Sequence, residues 1–344
     1  MKTIKYHFTL LLILSSITYA QSKQLFAEIG DLKLENGETL YDCKIGFRTF
    51  GTANSDHSNV IIYPTWFGGT TAQLVDLIGP GKLIDDTKYY VIAIDALGNG
   101  ISTSPTNSEL QGGNEFPEIS IEDMVNSQYK LLTEYFEIEH IFAIIGGSMG
   151  SMQALQWIVS YPDFIDKAIP YVATPRRSSY DMLIMAFRKK MIKSYQELGA
   201  DEKFIMTMMN YTSQLFAYSP EYRVENTTPE EFPVYIEKIE SRKPSKIFPI
   251  ENYLVQLQAM ETHNIYKDFN NSVSATAKTI KTEVFFILGE ADMLVSPEPA
   301  LELAEILNCE VLMLNNDCGH LSVGCELKKC GSEINQFLTD TLEQ

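Results

Sequence analysis

Residues 141–157, IFAIIGGSMGSMQALQW, constrain the fold of this chain more than any other stretch. An apolar run of β-type residues ends in Gly146-Gly147-Ser148-Met149-Gly150 and passes directly into a helical pattern. Strand, sharp turn with a serine, then helix is the order of a nucleophile elbow. Such a turn holds its serine in a strained backbone conformation, with strand and helix so close that side chains at the flanking positions would collide. Gly146 and Gly150 remove those side chains. The turn leaves the Ser148 hydroxyl exposed above the sheet edge and aims the N–H of Met149 at the place where an oxyanion would form. G-x-S-x-G alone is a weak signal, and an ordinary glycine-rich turn is the alternative. The flanking strand and helix favour the elbow.

An elbow expects an acid and then a histidine after later strands. The histidines are His7, His57, His140, His263 and His320, and only the last two follow Ser148. His320 lies in DCGH, after the strand-like EVLMLNN and before a C-terminal helix, where a base belongs. His263 lies in the polar, helix-like AMETHNIY with no strand before it, and reads as a surface or cap histidine. For the acid, TEVFFILGEADMLVSP is an apolar strand running into a turn with Glu290 and Asp292. Asp292 is preferred, because the apolar residues Met293, Leu294 and Val295 that follow can shield it, and Glu290 is the alternative. A buried aspartate would hold the His320 tautomer and stabilise the imidazolium formed during attack. A second oxyanion donor is expected from the loop after an early strand. NVIIYPTWFGGT fits, with the N–H of Trp66 as donor and that of Phe67 next, and a plain turn as the alternative.

Strand-like runs at 60–63, 89–94, 141–145, 168–172, 284–288 and 310–314 alternate with helical segments, which reads as a mostly parallel sheet. Between about 175 and 273 the pattern turns helical, rich in Met, Tyr and Lys. This segment reads as a helical lid over Ser148, with an independent domain as the alternative. Met206, Met208, Met209, Tyr211, Phe216 and Tyr218 within it read as packing residues. The expected architecture is an α/β-hydrolase fold, a mostly parallel central sheet flanked by helices with an inserted lid. Its parts are a signal peptide at 1–20, core at 21–174, lid at 175–275 and core again at 276–344.

The chain resembles the homoserine O-acetyltransferase family, an acyltransferase branch of the α/β-hydrolase superfamily. The matching segments are YDCKIGFRTFGTAN, IGPGKLIDDTKYYVIAIDALGNG, FPEISIEDMVNSQYKLL, GGSMGSMQALQWIVSYPD and IENYLVQLQAM, followed by the acid and histidine loops. The resemblance implies Ser148 as acylated nucleophile, Asp292 as acid, His320 as base, and the N–H groups of Met149 and Trp66 as oxyanion hole. It also implies double displacement, in which Ser148 takes an acyl group from a thioester and a second substrate's hydroxyl then takes it from the enzyme. The chain departs from the family in two places. Pro64-Thr65-Trp66-Phe67-Gly68 stands where the family has His-Ala-Leu-Thr-Gly. The Gly-Leu-x-x-Ala-Arg lid motif that binds the homoserine carboxylate is missing, and no arginine lies between Arg188 and Arg223. Arg176 and Arg177 either bind an anionic substrate group, with Arg177 the candidate, or are solvated charges at the lid entrance.

The N-terminus has Lys2 and Lys5, an apolar core over 8–17 too short to span a bilayer, and Thr18-Tyr19-Ala20 before Gln21. It predicts export to the periplasm or medium after cleavage near Ala20, with no stable membrane anchor. An exported enzyme would meet little acyl-CoA, so water or another alcohol becomes the expected acceptor. The net charge is −18, and loss of Lys2 and Lys5 with no acidic residue takes it to −20. That balance argues against nucleic acid as a partner, whose phosphates need a basic face. The expected partner is a small ester or thioester; a homodimer is left open. The chemistry calls for no cofactor and no metal. The five cysteines are Cys43, Cys309, Cys318, Cys325 and Cys330, an odd number that leaves at least one free. A disulfide among Cys318, Cys325 and Cys330 would clamp the loop of His320, whereas their spacing matches no familiar zinc pattern. Three functions remain: an exported serine ester hydrolase, an acyltransferase to homoserine or another hydroxyl acceptor, and a non-catalytic binding protein on a hydrolase scaffold.

Overall fold

Apolar residues on both faces of consecutive strands require a sheet covered on both sides. The computed structural model describes residues 22–340, so the expected leader at 1–20 lies outside the described residues. Eight strands form one sheet: β1 Leu25–Lys33, β2 Thr39–Phe50, β3 Val60–Pro64, β4 Tyr90–Ile94, β5 Ile141–Gly147, β6 Ile165–Tyr171, β7 Glu283–Gly289 and β8 Glu310–Leu314. Their spatial order is β1-β2-β4-β3-β5-β6-β7-β8. β3 to β8 are parallel, and β1 and β2 add an antiparallel edge joined through Phe47 opposite Ile94. The period of two is visible in the packing. Val60, Ile62, Ile92, Ile94 and Ile144 face one core with Met152 and Trp157. Ile61, Tyr63, Val91, Ala93 and Ile145 face the other, with Leu74 and Phe337.

The strand-like runs read from the sequence coincide with β3 to β8 to within a few residues. Pattern alone misses β1 and β2. Both alternate with charged residues, β1 is interrupted by register shifts around Gly30, and Asp42 within β2 sits at φ +48°, so neither has a clean apolar run.

Between β6 and β7 the chain runs through helices Ser179–Glu197, Glu202–Phe216, Pro220–Asn226, Phe232–Ser241 and Ile250–Glu261. Their starts are set by side chains. Ser178, Asp201 and Ser219 each accept the N–H three residues on, and Pro220 occupies the first turn, where its missing N–H costs nothing. Met209 is buried in the packing of this segment, Met206 and Met208 half-buried. No described helix is long and apolar enough to cross a membrane.

Candidate functional site

The turns after β3, β5, β7 and β8 emerge at the carboxyl ends of parallel strands, where ligands bind in open α/β sheets. Ser148 follows β5 at φ +54°, ψ −122°, a strained conformation for a residue with a side chain. Its N–H donates to the Tyr171 carbonyl at 3.1 Å, which ties the turn to β6. A Cβ on Gly146 would come within 2.2 Å of the Gly150 carbonyl oxygen, and one on Gly150 within 2.7 Å of the Pro64 oxygen. Gly147 has the same need, since a Cβ there would strike the Tyr171 ring at 2.1 Å.

His320 Nε2 lies 2.9 Å from Ser148 Oγ, and His320 Nδ1 lies 2.7 Å from Asp292 Oδ2. The other carboxylate oxygen of Asp292 accepts the N–H groups of Leu294 and Val295, each at 2.9 Å. Those two bonds fix the carboxylate, so a proton on Nδ1 is held and Nε2 is left to accept from the serine. Asp292 and His320 are each 8% exposed, while Glu290 is exposed to solvent and its side chain is not part of this line. His320 sits in a 3₁₀ turn, Gly319–Leu321, bracketed by a Cys318–Cys325 disulfide. Its N–H donates to the Ala217 carbonyl of the helical segment at 3.0 Å. Cys43 and Cys330 are buried free thiols and Cys309 a half-buried one.

The loop after β3 is braced along its length. Thr65 N–H donates to Ile94, Thr65 Oγ accepts from Ala96 N, and the Thr65 carbonyl accepts from Gln153 Nε2. Gln256, on helix Ile250–Glu261, accepts the Gly68 N–H at 2.8 Å and donates to the Leu97 carbonyl at 2.9 Å. Buried Asp95 accepts from Thr71 N and Oγ, Asn99 Nδ2 and Gln24 Nε2, while Asn99 also donates to the Gly69 carbonyl. Burial raises the Asp95 carboxyl above the usual range, and these bonds oppose the shift. Trp66 and Phe67 line the space beside Ser148, and Met149 is the first residue of helix Met149–Ser160, so its N–H has no partner one turn back. Gln153, Gln256 and Asp95 escaped the sequence reading. The one signal was a polar residue inside an apolar pattern: Asp95 at the end of YVIAID, and Gln256 among the apolar positions of IENYLVQLQAM.

Ser148 and His320 open onto a cavity of about 380 Å³ lined mostly by apolar residues. Arg177 is not among the described residues lining it, and it is not a solvated charge either. Its Nε and Nη1 are shut off from solvent without a hydrogen-bond partner, Nη2 reaches Met185 Sδ at 3.2 Å, and burial pushes the guanidinium down to about 10. Arg176 pairs with Glu302 at 2.9 Å over the Tyr266 ring. His263, expected on the surface, is buried: its ring nitrogen Nε2 meets the Thr174 carbonyl at 3.2 Å because helix Ile250–Glu261 ends against the strand-following loop. Among the described residues no group of three or more His, Cys, Asp or Glu is placed to hold a metal ion.

An ethyl acetate hydrolase of Pseudomonas veronii is 40% identical over 157 residues, a match spanning 45% of this chain and 45% of that protein. A homoserine O-acetyltransferase of Methanohalobium evestigatum is 27% identical over 90% of this chain and 72% of its own length. The solved acetyl esterase MekB superposes with a TM-score of 0.84 at 25% identity, covering 93% of this chain and 98% of that one. The homoserine O-acetyltransferase of Bacillus anthracis superposes with a TM-score of 0.82 at 21% identity, covering 94% of this chain and 99% of that one. The resemblance to homoserine O-acetyltransferases therefore extends over most of the chain, and esterases share it. With residues 61–324 matching the alpha/beta hydrolase fold, this chain belongs to that family.

Proposed function

We propose that the protein is an exported serine ester hydrolase working through an acyl-enzyme on Ser148. The observation that carries this is the line Ser148 Oγ, His320 Nε2, His320 Nδ1, Asp292 Oδ2, with spacings of 2.9 and 2.7 Å, at the wall of an apolar cavity. His320 takes the Ser148 proton as Oγ attacks the ester carbonyl, and the N–H groups of Met149 and Trp66 stabilise the oxyanion. The proton then passes from Nε2 to the departing alkoxide. Water enters and attacks the acyl carbon while giving a proton to Nε2, and Nε2 returns that proton to Ser148 Oγ as the Oγ–acyl bond breaks and the acid leaves. The helices at 175–275 act as a lid over this site.

Hydrolysis is preferred to transfer because the carboxylate-binding lid motif is missing and because relatives bear the names ethyl acetate hydrolase and acetyl esterase. Export is supported by the leader-like N-terminus and by the Cys318–Cys325 disulfide, which suits an oxidising compartment. Transfer to a hydroxyl acceptor is the second reading, favoured by the 27% identity to an acetyltransferase over 90% of the chain. The test is acyl release by the chain from residue 21, and by its Ser148→Ala variant, on a short aryl ester and on acetyl-CoA with and without homoserine. Ester turnover lost in the variant is expected. Acetyl-homoserine formed only with both substrates would replace hydrolysis by transfer, and failure of the protein to react with a serine-directed phosphonate would remove both.

A further inference from the structure

The cavity beside Ser148 is larger than an acetyl group requires. An apolar cavity of about 150 Å³ holds a six-carbon aromatic guest, and this one has about 380 Å³. Beyond Ser148 and His320 its wall includes Leu77, Leu83, Val172, Val323 and Leu327. Water there finds few polar partners, so an apolar chain that displaces it is favoured by about fourfold per buried methylene. Exposure varies around the wall, which is open where Leu321 and Gly324, just after His320, are exposed and closed where Leu83 and Val172 are buried. An alcohol must leave and water must enter while the acyl group stays on Ser148. The departing oxygen takes its proton from His320, so the alcohol belongs at the open end and the acyl chain at the closed end.

Leu83 and Leu327 also line a second cavity, of about 530 Å³, together with Lys82, Tyr89 and Leu338. Two leucines thus line both spaces. Leu83 is 2% exposed and its N–H donates to the Leu77 carbonyl, while Leu327 is half-buried at the start of helix Leu327–Thr339, just past Cys325.

We infer that the closed end takes an apolar acyl chain of roughly four to eight carbons and that Leu83 and Leu327 are the partition that sets its length limit. This deepens the serine acyl-transfer proposal and rests on it. The experiment is kcat/KM of the chain from residue 21 on p-nitrophenyl acetate, butyrate, hexanoate, octanoate and dodecanoate. It is repeated with Leu327→Ala, Leu327→Trp and, from the facing wall, Leu77→Trp, each checked for folding by its melting transition. The wild type is expected to prefer butyrate to octanoate over acetate and to fall at dodecanoate. Leu327→Ala joins the two spaces and raises the dodecanoate-to-butyrate ratio about tenfold or more; either tryptophan lowers the octanoate-to-acetate ratio by a similar factor. A wild type that favours acetate, or ratios that stay put in folded variants at both positions, would overturn the partition. Ser148→Ala separates the two claims, because turnover that survives it at every chain length defeats the acyl-enzyme and not the shape of the cavity.

Discussion

Asp181 and Ser296 fasten the first helix of the insertion to the loop of Asp292. Asp181 Oδ1 accepts both the Ser296 N–H, at 3.1 Å, and its hydroxyl, at 3.0 Å, while Oδ2 accepts the Ser178 N–H. The carboxylate is 1% exposed, so these donors have little water to turn to. Asp181→Ala is therefore expected to cost about 1–3 kcal/mol of stability. It should also lower kcat about tenfold at temperatures where the variant is folded, because the acid loop loses its anchor four residues beyond Asp292. Asp181→Asn keeps an oxygen for Ser296 and should recover most of kcat. Melting curves and ester kinetics on the two variants check this; lost stability with unchanged kcat would make Asp181 a packing residue only.

Asp292 and Glu290 lie two positions apart, and only Asp292 reaches His320. Asp292→Asn is expected to lower kcat by about 10³–10⁴, the scale of losing the carboxylate that holds the histidine tautomer. Glu290→Gln, at an exposed side chain, should leave kcat within about twofold. A reversed pattern would move the acid to Glu290.

The Cys318–Cys325 bond closes a loop around His320. A crosslink over a sequence separation of 7 contributes about 2.5 kcal/mol in the chain-entropy account. Reduction, or Cys325→Ser, should lower the melting temperature and kcat together, since the same turn carries His320, the proposed base. Alkylation counts on denatured protein should rise by two after reduction. Burial pushes the Cys43 thiol up to about 12 and Cys330 up to about 11, so in the native protein both should alkylate slowly.

What could be read from the sequence follows from how local each signal is. The elbow was legible because Gly146 and Gly150 lie four residues apart around Ser148 and Gly146 answers to Gly150 itself, although the contact of Gly150 with the β3 end at Pro64 is distant in sequence. His320 was legible by elimination among five histidines, and β3 to β8 by their length and apolar character. Asp292 was preferred from the apolar residues that follow it, and setting Glu290 aside needed three dimensions, because both acidic residues sit in the same turn and only Asp292 reaches His320, 28 positions on. β1 and β2 stayed hidden for the reason that their order comes from pairing, Phe26 with Gly46 and Phe47 with Ile94, and not from their own pattern. Gln256 was hidden likewise: its partner Gly68 is 188 residues away.

His263 is the position where burial most alters the chemistry expected of a residue type. Its Nδ1 has no hydrogen-bond partner and its Nε2–H donates to the Thr174 carbonyl, a bond that by itself favours the protonated ring. Burial, with the Arg177 charge adding to it, pushes it down to about 3. The unfolded chain keeps an ordinary histidine near about 6.5. Between those two values the unfolded state binds a proton that the folded state refuses, so stability is complete above about pH 6.5 and is lost as pH falls toward 3, by up to about 1.4 kcal/mol per unit. Urea unfolding at pH 7.5 and pH 5 should show a loss of about 2 kcal/mol from this group. His263→Gln can keep a donor for Thr174 without titrating, and its stability should fall less over the same interval. Equal losses in wild type and variant would mean that the ring takes up its proton without unfolding the helix end that buries it.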